Sequence, residues 1–198
     1  MTPSDAPGPG AHPRPDPGTG PLLPAAVERD DPAGGWTLAL TRHLRHAPAV
    51  VWSALTQPGR LARWAPFEAD RDLGAEGAAT LTMIDGTERT PLPTSVLRAE
   101  APRLLEYRWG PDLLRWELEP ADGGTRLTLR HTVLDPDWLP KIAAGWHLCL
   151  DVAEGVLAGE PVEPIRGAAA MDHGWPRLHE AYARELGVPV TPPERPGG

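Results

Sequence analysis

The amino-acid sequence predicts a single α+β domain in which an antiparallel sheet of about seven strands grips one long helix near the C-terminus. Three observations carry that prediction. All eight tryptophans fall between Trp36 and Trp175, so one continuous stretch holds the material for a core. Most of that stretch alternates apolar and polar residues with a period of two, punctuated by Gly, Pro and Asp-Gly pairs, as the strands of a meander do. The alternation then gives way to one broad helical stripe over residues 137–157. A chain of 198 residues supports one such domain with tails, and is too short for two ordinary ones.

Taken in order, residues 1–35 contain nine Pro and six Gly and no aromatic residue. Such a segment has too little apolar surface to offset its ordering entropy, so a disordered arm is expected. In the next segment Trp36, Leu38, Leu40 and Leu44 fall on one face of a first strand. Pro48 suits the first turn of a helix, where a missing N–H costs nothing, and Val51, Trp52 and Leu55 recur at helical spacing. Thr56-Gln57-Pro58 interrupts, and a second short helix places Leu61 and Trp64 inward. Period two returns with Phe67, Ala69, Arg71 and Leu73, then Ala79, Leu81 and Met83, and Asp85-Gly86 is a hairpin turn signal. Further strands are expected at 94–99, 104–109, 113–119 and 125–133, separated by Ala101-Pro102, Gly110-Pro111 and Asp122-Gly123-Gly124.

The long helix carries Leu139, Ile142, Trp146, Cys149, Leu150, Ala153, Val156 and Leu157 on its stripe. Leu148 and Val152 lie off it, so a second partner besides the sheet is required. Trp175, Leu178, His179, Tyr182 and Leu186 repeat at helical spacing and supply that partner as a tail helix. The domain is therefore expected over 36–187, with a disordered tail over 188–198.

Composition narrows the function. The formal charge is −8, and the basic residues, 18 Arg and the single Lys141, are dispersed, which argues against the concentrated basic face that nucleic acids need. One cysteine, Cys149, excludes an intramolecular disulfide and suggests a reducing compartment, hence a cytoplasmic location. Neither a signal-peptide pattern nor an apolar run of spanning length is present, so no membrane span is expected.

The order strand, two short helices, six strands, long helix resembles the helix-grip (START-like) architecture of the SRPBCC superfamily. The motif Ala47-Pro48-x-x-Val51-Trp52-x-Ala54-Leu55-Thr56-x-Pro58-x-x-Leu61-x-x-Trp64 is similar to the branch named after the activator of the ninety-kilodalton heat-shock protein's ATPase. Leu105-Glu106-Tyr107-Arg108-Trp109, Thr125-Arg126-Leu127-Thr128-Leu129-Arg130-His131 and Gly145-Trp146-His147 resemble the same branch. The resemblance covers roughly residues 36–157 and implies a cavity between sheet and long helix. Its members are mostly lone bacterial domains of unknown role; the superfamily also holds cyclases, hydrolases and lipid carriers. Co-chaperone activity belongs to relatives with an additional preceding domain, and residues 1–35 are too short and Pro-rich to form it.

Within the cavity that the resemblance implies, strand parity and the apolar faces of the helices give the candidates: Trp64, Leu81, Met83, Trp109, Trp116, Leu129, His131, Trp146 and Leu150. An aromatic inner face suits a flat or aliphatic ligand, although plain core packing also accounts for each ring. His131 shares its face with Leu127, Leu129 and Val133; it is either an acid/base near neutrality or a core histidine bonded to backbone, a Trp N–H or water. Arg42 shares the parity of Leu38 and Leu40 and needs a carboxylate, from a ligand or from a neighbouring Glu or Asp. His147 and Asp151, four apart, read as an ordinary helix-surface pair, and with Asp172, His173 and His179 they lack the spacing of a metal site. No catalytic residue, metal or cofactor is assigned. Cys149, within an apolar stripe, is expected to be inert. The sequence thus predicts a protein that binds a small hydrophobic or aromatic ligand rather than an enzyme. The alternatives are a cyclase, dehydratase or hydrolase using His131, and a co-chaperone-like or regulatory protein-interaction module. Whether the chain is a monomer or a homodimer is not legible.

Overall fold

The computed structural model describes residues 16–29 and 35–189. Among these, eight strands form one antiparallel sheet: β1 Ala25–Glu28, β2 Trp36–Leu44, β3 Phe67–Ala69, β4 Gly77–Asp85, β5 Glu88–Glu100, β6 Leu104–Trp109, β7 Asp112–Ala121 and β8 Gly124–Val133. Their spatial order is β1-β2-β8-β7-β6-β5-β4-β3, so successive antiparallel neighbours run from β3 to β8, and β8 comes back to lie against β2. The helices are α1 Pro48–Thr56, α2 Pro58–Leu61, α3 Leu139–Leu157 and α4 Trp175–Leu186.

Local chemistry explains the joints. Pro48 and Pro58 each open a helix, where their lack of an N–H removes a donor that would be orphaned anyway. The indole N–H of Trp64 donates to the Ala54 carbonyl at 2.9 Å and ties the residues after α2 to α1. Gly110 has φ +61° in the two-residue turn that sets Trp109 opposite Asp112, a backbone region that favours glycine. At the start of β8 a Cβ on Gly124 would lie 1.9 Å from the Leu44 carbonyl oxygen, so only glycine lets the β7–β8 hairpin close onto the end of β2.

The alternation predicted for the strands is the one observed. Leu127, Leu129, His131 and Val133 of β8 are buried, as are Leu114, Trp116 and Leu118 of β7 and Leu38 and Leu40 of β2. α3 covers this inner face. Its second flank, with Leu148 and Val152 also buried, is covered by α4 through Leu178, Tyr182 and Ala183.

Four expectations are corrected. Ala25–Glu28, assigned to a disordered arm, pairs with β2 from Ala25 opposite Leu40 to Glu28 opposite Thr37, because the backbone groups on the open edge of β2 offer partners that composition does not record. Gly18 and Leu23 of the same arm are likewise bonded, to Asp151 and Tyr182, while residues 1–15 and 30–34 lie outside the described residues. β3 stops at Ala69, and Leu73 is buried in the connection that follows. β5 extends back to Glu88, because Pro91 and Pro93 fall in the half that pairs only with β4, before the β6 pairing begins at Val96. There a missing N–H breaks no second ladder. At the other end, Val188 closes α4 with its N–H on the Ala183 carbonyl at 3.0 Å, so the described part of the predicted tail is a helix cap; residues 190–198 lie outside the described residues.

Candidate functional site

The nine cavity candidates come together, but as a packed cluster. Trp64, Leu81, Trp116, Leu129, His131, Trp146 and Leu150 retain only 0–2 % of their surface accessible. Their rings stack edge to face: Trp64 on Trp116 at 5.9 Å, Trp116 on Trp146 at 5.3 Å and Trp109 on Trp146 at 5.5 Å. Such contacts add ~0.5–1.5 kcal/mol each beyond area burial. Only Trp109 and Met83 are partly exposed, and there the indole N–H of Trp109 donates to the Met83 thioether at 3.2 Å. Sequence reasoning left out Phe67, 5.7 Å from Trp109, and Tyr107, whose hydroxyl accepts from Trp116 Nε1 at 3.1 Å. Burial pushes the Tyr107 phenol up.

His131 sits at the centre with both nitrogens engaged. Trp146 Nε1–H donates to His131 Nδ1 at 3.0 Å, which places the ring proton on Nε2, 3.0 Å from Asp112 Oδ2. The ring is thereby held in one tautomer and one orientation. With no accessible surface, it has no free lone pair to offer a substrate. Asp112 was not foreseen, although its position two residues before Leu114, which pairs with His131, gives it the inward parity.

A second polar cluster joins the arm to the helices. Arg42 bonds Asp151 at 2.5 Å and also Glu154, so of the two sources open to it the carboxylates come from within the chain. His147 is a correction: it is buried rather than on the helix surface, because α4 and the arm cover that flank. Tyr182 Oη lies 2.8 Å from His147 Nδ1 and accepts the Leu23 N–H at 3.0 Å, while His147 Nε2 approaches Asp151 at 3.5 Å. Asp151 also accepts the Gly18 N–H at 2.7 Å. Burial alone would raise the Asp151 carboxyl; His147, the Gly18 N–H and Arg42 outweigh it and hold the pKa at about 2. Burial pushes the Tyr182 phenol to about 12 and the Cys149 thiol to about 12, so neither is a nucleophile near neutrality. An open cleft of about 680 Å³ lies beside this cluster, between Pro21–Pro24 and Arg42, Arg126 and Glu154. None of the nine cavity candidates lines it. Asp172 and His173 lie in the turn before α4 and His179 is buried on α4; among the described residues no three His, Cys, Asp or Glu are grouped for a metal.

A family model described as "Activator of Hsp90 ATPase homolog 1-like protein" matches residues 45–158, which is more than half of the chain. The chain belongs to this family. The match runs from the turn before α1 to the end of α3, and so contains every cavity candidate and the whole His131 arrangement. Solved structures agree on the helix-grip fold of this AHSA1-like protein. CalU16 from Micromonospora echinospora superposes with a TM-score of 0.61 at 24 % identity, over 82 % of this chain and 96 % of that one. EF2215 from Enterococcus faecalis, a conserved protein of unknown function, gives 0.60 at 17 % identity over 82 % and 90 %. An AHSA1-like protein from Aeromonas hydrophila gives 0.52 at 21 % identity over 62 % and 94 %. No curated protein matches the chain. Among the described residues no helix is long and apolar enough to cross a membrane.

Proposed function

We propose that this AHSA1-like protein binds a small hydrophobic or aromatic molecule at the Trp109 edge of the inner sheet face, beside α3, without catalysing a reaction. The observation that carries the reading is Trp109 itself. It is a partly exposed indole at the margin of a buried ring cluster, and its N–H is spent on a thioether, a weak acceptor. A ligand oxygen accepts that hydrogen bond better than sulfur does, and the ligand's apolar body finds Phe67, Trp146 and Met83 around it. Because the deeper residues are closed, entry requires Trp109 and Met83 to swing aside, the ligand replacing the contacts they give up. Proteins of this fold class commonly bind hydrophobic ligands or proteins, which accords with the reading.

Catalysis by His131 has less support, since both of its nitrogens are occupied inside the core. The interaction-module reading depends on an arm free to reach a partner, whereas Gly18, Leu23 and Ala25–Glu28 are committed to contacts within the chain. Tryptophan fluorescence and thermal melting with a panel of fatty acids, polyketides and aromatic metabolites test the proposal. A binder at a hundred times its Kd stabilises the fold by ~2.7 kcal/mol and changes Trp109 emission, and Trp109→Phe weakens it. No change in emission or melting across the whole panel refutes ligand binding.

A further inference from the structure

The charge at the same edge points to the class of ligand, an inference that rests on the binding site just proposed. Most acidic side chains elsewhere on the sheet are matched by arginine, Asp85, which accepts the Ala168 N–H, being an exception. Glu117 and Glu106 hold Arg115, Glu117 and Glu28 hold Arg130, Glu119 holds Arg126, and Glu68 holds Arg89. Asp112 departs from this pattern. Its one side-chain partner among the described residues is the imidazole of His131, and that ring is uncharged, since its Nδ1 accepts the Trp146 N–H. A carboxylate therefore stands at the margin of an aromatic cluster with no arginine or lysine bonded to it among the described residues.

The geometry leaves that charge usable. Only Oδ2 is engaged, Oδ1 has no described partner, and the side chain keeps 25 % of its surface exposed. Asp112 sits directly across the hairpin from Trp109, whose ring lies 5.5 Å from the His131 ring. Past Val133 the chain leaves the sheet at this same end through Leu134 and Trp138, 70 % and 53 % exposed. The carboxylate thus stands beside the paired rings of Trp109 and His131, where a charge-assisted hydrogen bond is stronger than in open water. Aromatic faces also attract cations, and the chain's net charge of −8 favours the approach of a positive ligand.

We propose that the site selects an amine-bearing aromatic molecule, its protonated nitrogen on Asp112 Oδ1 and its ring system against Trp109. Three matched probes test this by calorimetry and tryptophan fluorescence: 2-naphthylmethylamine, 2-naphthylmethanol and 2-naphthoate. The amine is expected to bind about tenfold or more tighter than the alcohol, corresponding to about 1.4 kcal/mol, the carboxylate to bind weakest, and added salt to narrow the difference. Asp112→Asn keeps an acceptor for His131 Nε2–H while removing the charge; it should erase the preference for amine while leaving alcohol binding intact. Equal binding of amine and alcohol to the wild-type chain overturns the charge selection and leaves the apolar site standing. Preference for the carboxylate overturns it as well. If none of the three probes binds and the broad panel also fails, the binding site itself is refuted.

Discussion

Replacing Tyr182 with phenylalanine removes one oxygen that serves two partners, and its consequences can be worked from the structure. The hydroxyl accepts the Leu23 N–H at 3.0 Å and lies 2.8 Å from His147 Nδ1. Since Tyr182 and His147 are buried, the substitution orphans Nδ1 where water does not reach, while the half-buried Leu23 N–H recovers part of its loss from solvent. Leaving two such groups without partners costs ~2–4 kcal/mol together. For a domain of this size that lowers the melting temperature by roughly 5–15 °C. The Leu23 share, ~1–2 kcal/mol, acts on the arm alone, so amide exchange over residues 18–28 should accelerate roughly 5–30-fold. Exchange in the β7–β8 hairpin should rise only with global stability. Mass-spectrometric hydrogen exchange of both chains under identical conditions reads the two effects separately. Unchanged exchange in the arm, with or without a fall in melting temperature, would refute the assignment of Tyr182 as its anchor.

Three further outcomes follow from particular contacts. The Asp151 pKa of about 2, against an unperturbed 3.8, means the folded chain holds this carboxylate more strongly than the unfolded one. Its contribution, ~2 kcal/mol at most, is complete above about pH 4 and lost as pH falls toward 2, so Asp151→Asn should flatten the melting-temperature profile across that window. Trp146→Phe leaves His131 Nδ1 without its donor in a closed core and should destabilise by ~2–4 kcal/mol, part orphaned acceptor and part lost ring volume, as read by denaturant unfolding. Cys149 should resist a thiol reagent in the native protein at pH 8 and react stoichiometrically once unfolded, because burial holds its thiol at about 12.

Strand parity was legible in the sequence wherever one face is buried and the other wet. That is why the inward set of β8 and the tail helix on the off-stripe flank of α3 were readable from spacing alone. The partners of Arg42 were foreseen as a class but not by residue, although Asp151 and Glu154, three apart on α3, lie on one helix face. Asp112 was missed because a Gly-Pro turn precedes it and β7 was read as starting one residue later, yet its parity with Leu114 was present in the chain. β1 left almost no local trace: four residues, Ala-Ala-Val-Glu, owe their conformation to hydrogen bonds with a strand that follows later in the chain. His147 read as a surface residue because the segments that bury it, the arm and α4, are far from it in sequence.

The short strand β1 also acts as a guard rail. β2 carries an apolar face and would be the terminal strand of the sheet without it, presenting its backbone donors and acceptors to any similar strand nearby. A version of the protein beginning at Trp36 should keep its helix-grip core but become sticky, associating edge to edge at concentrations where the full chain stays dispersed.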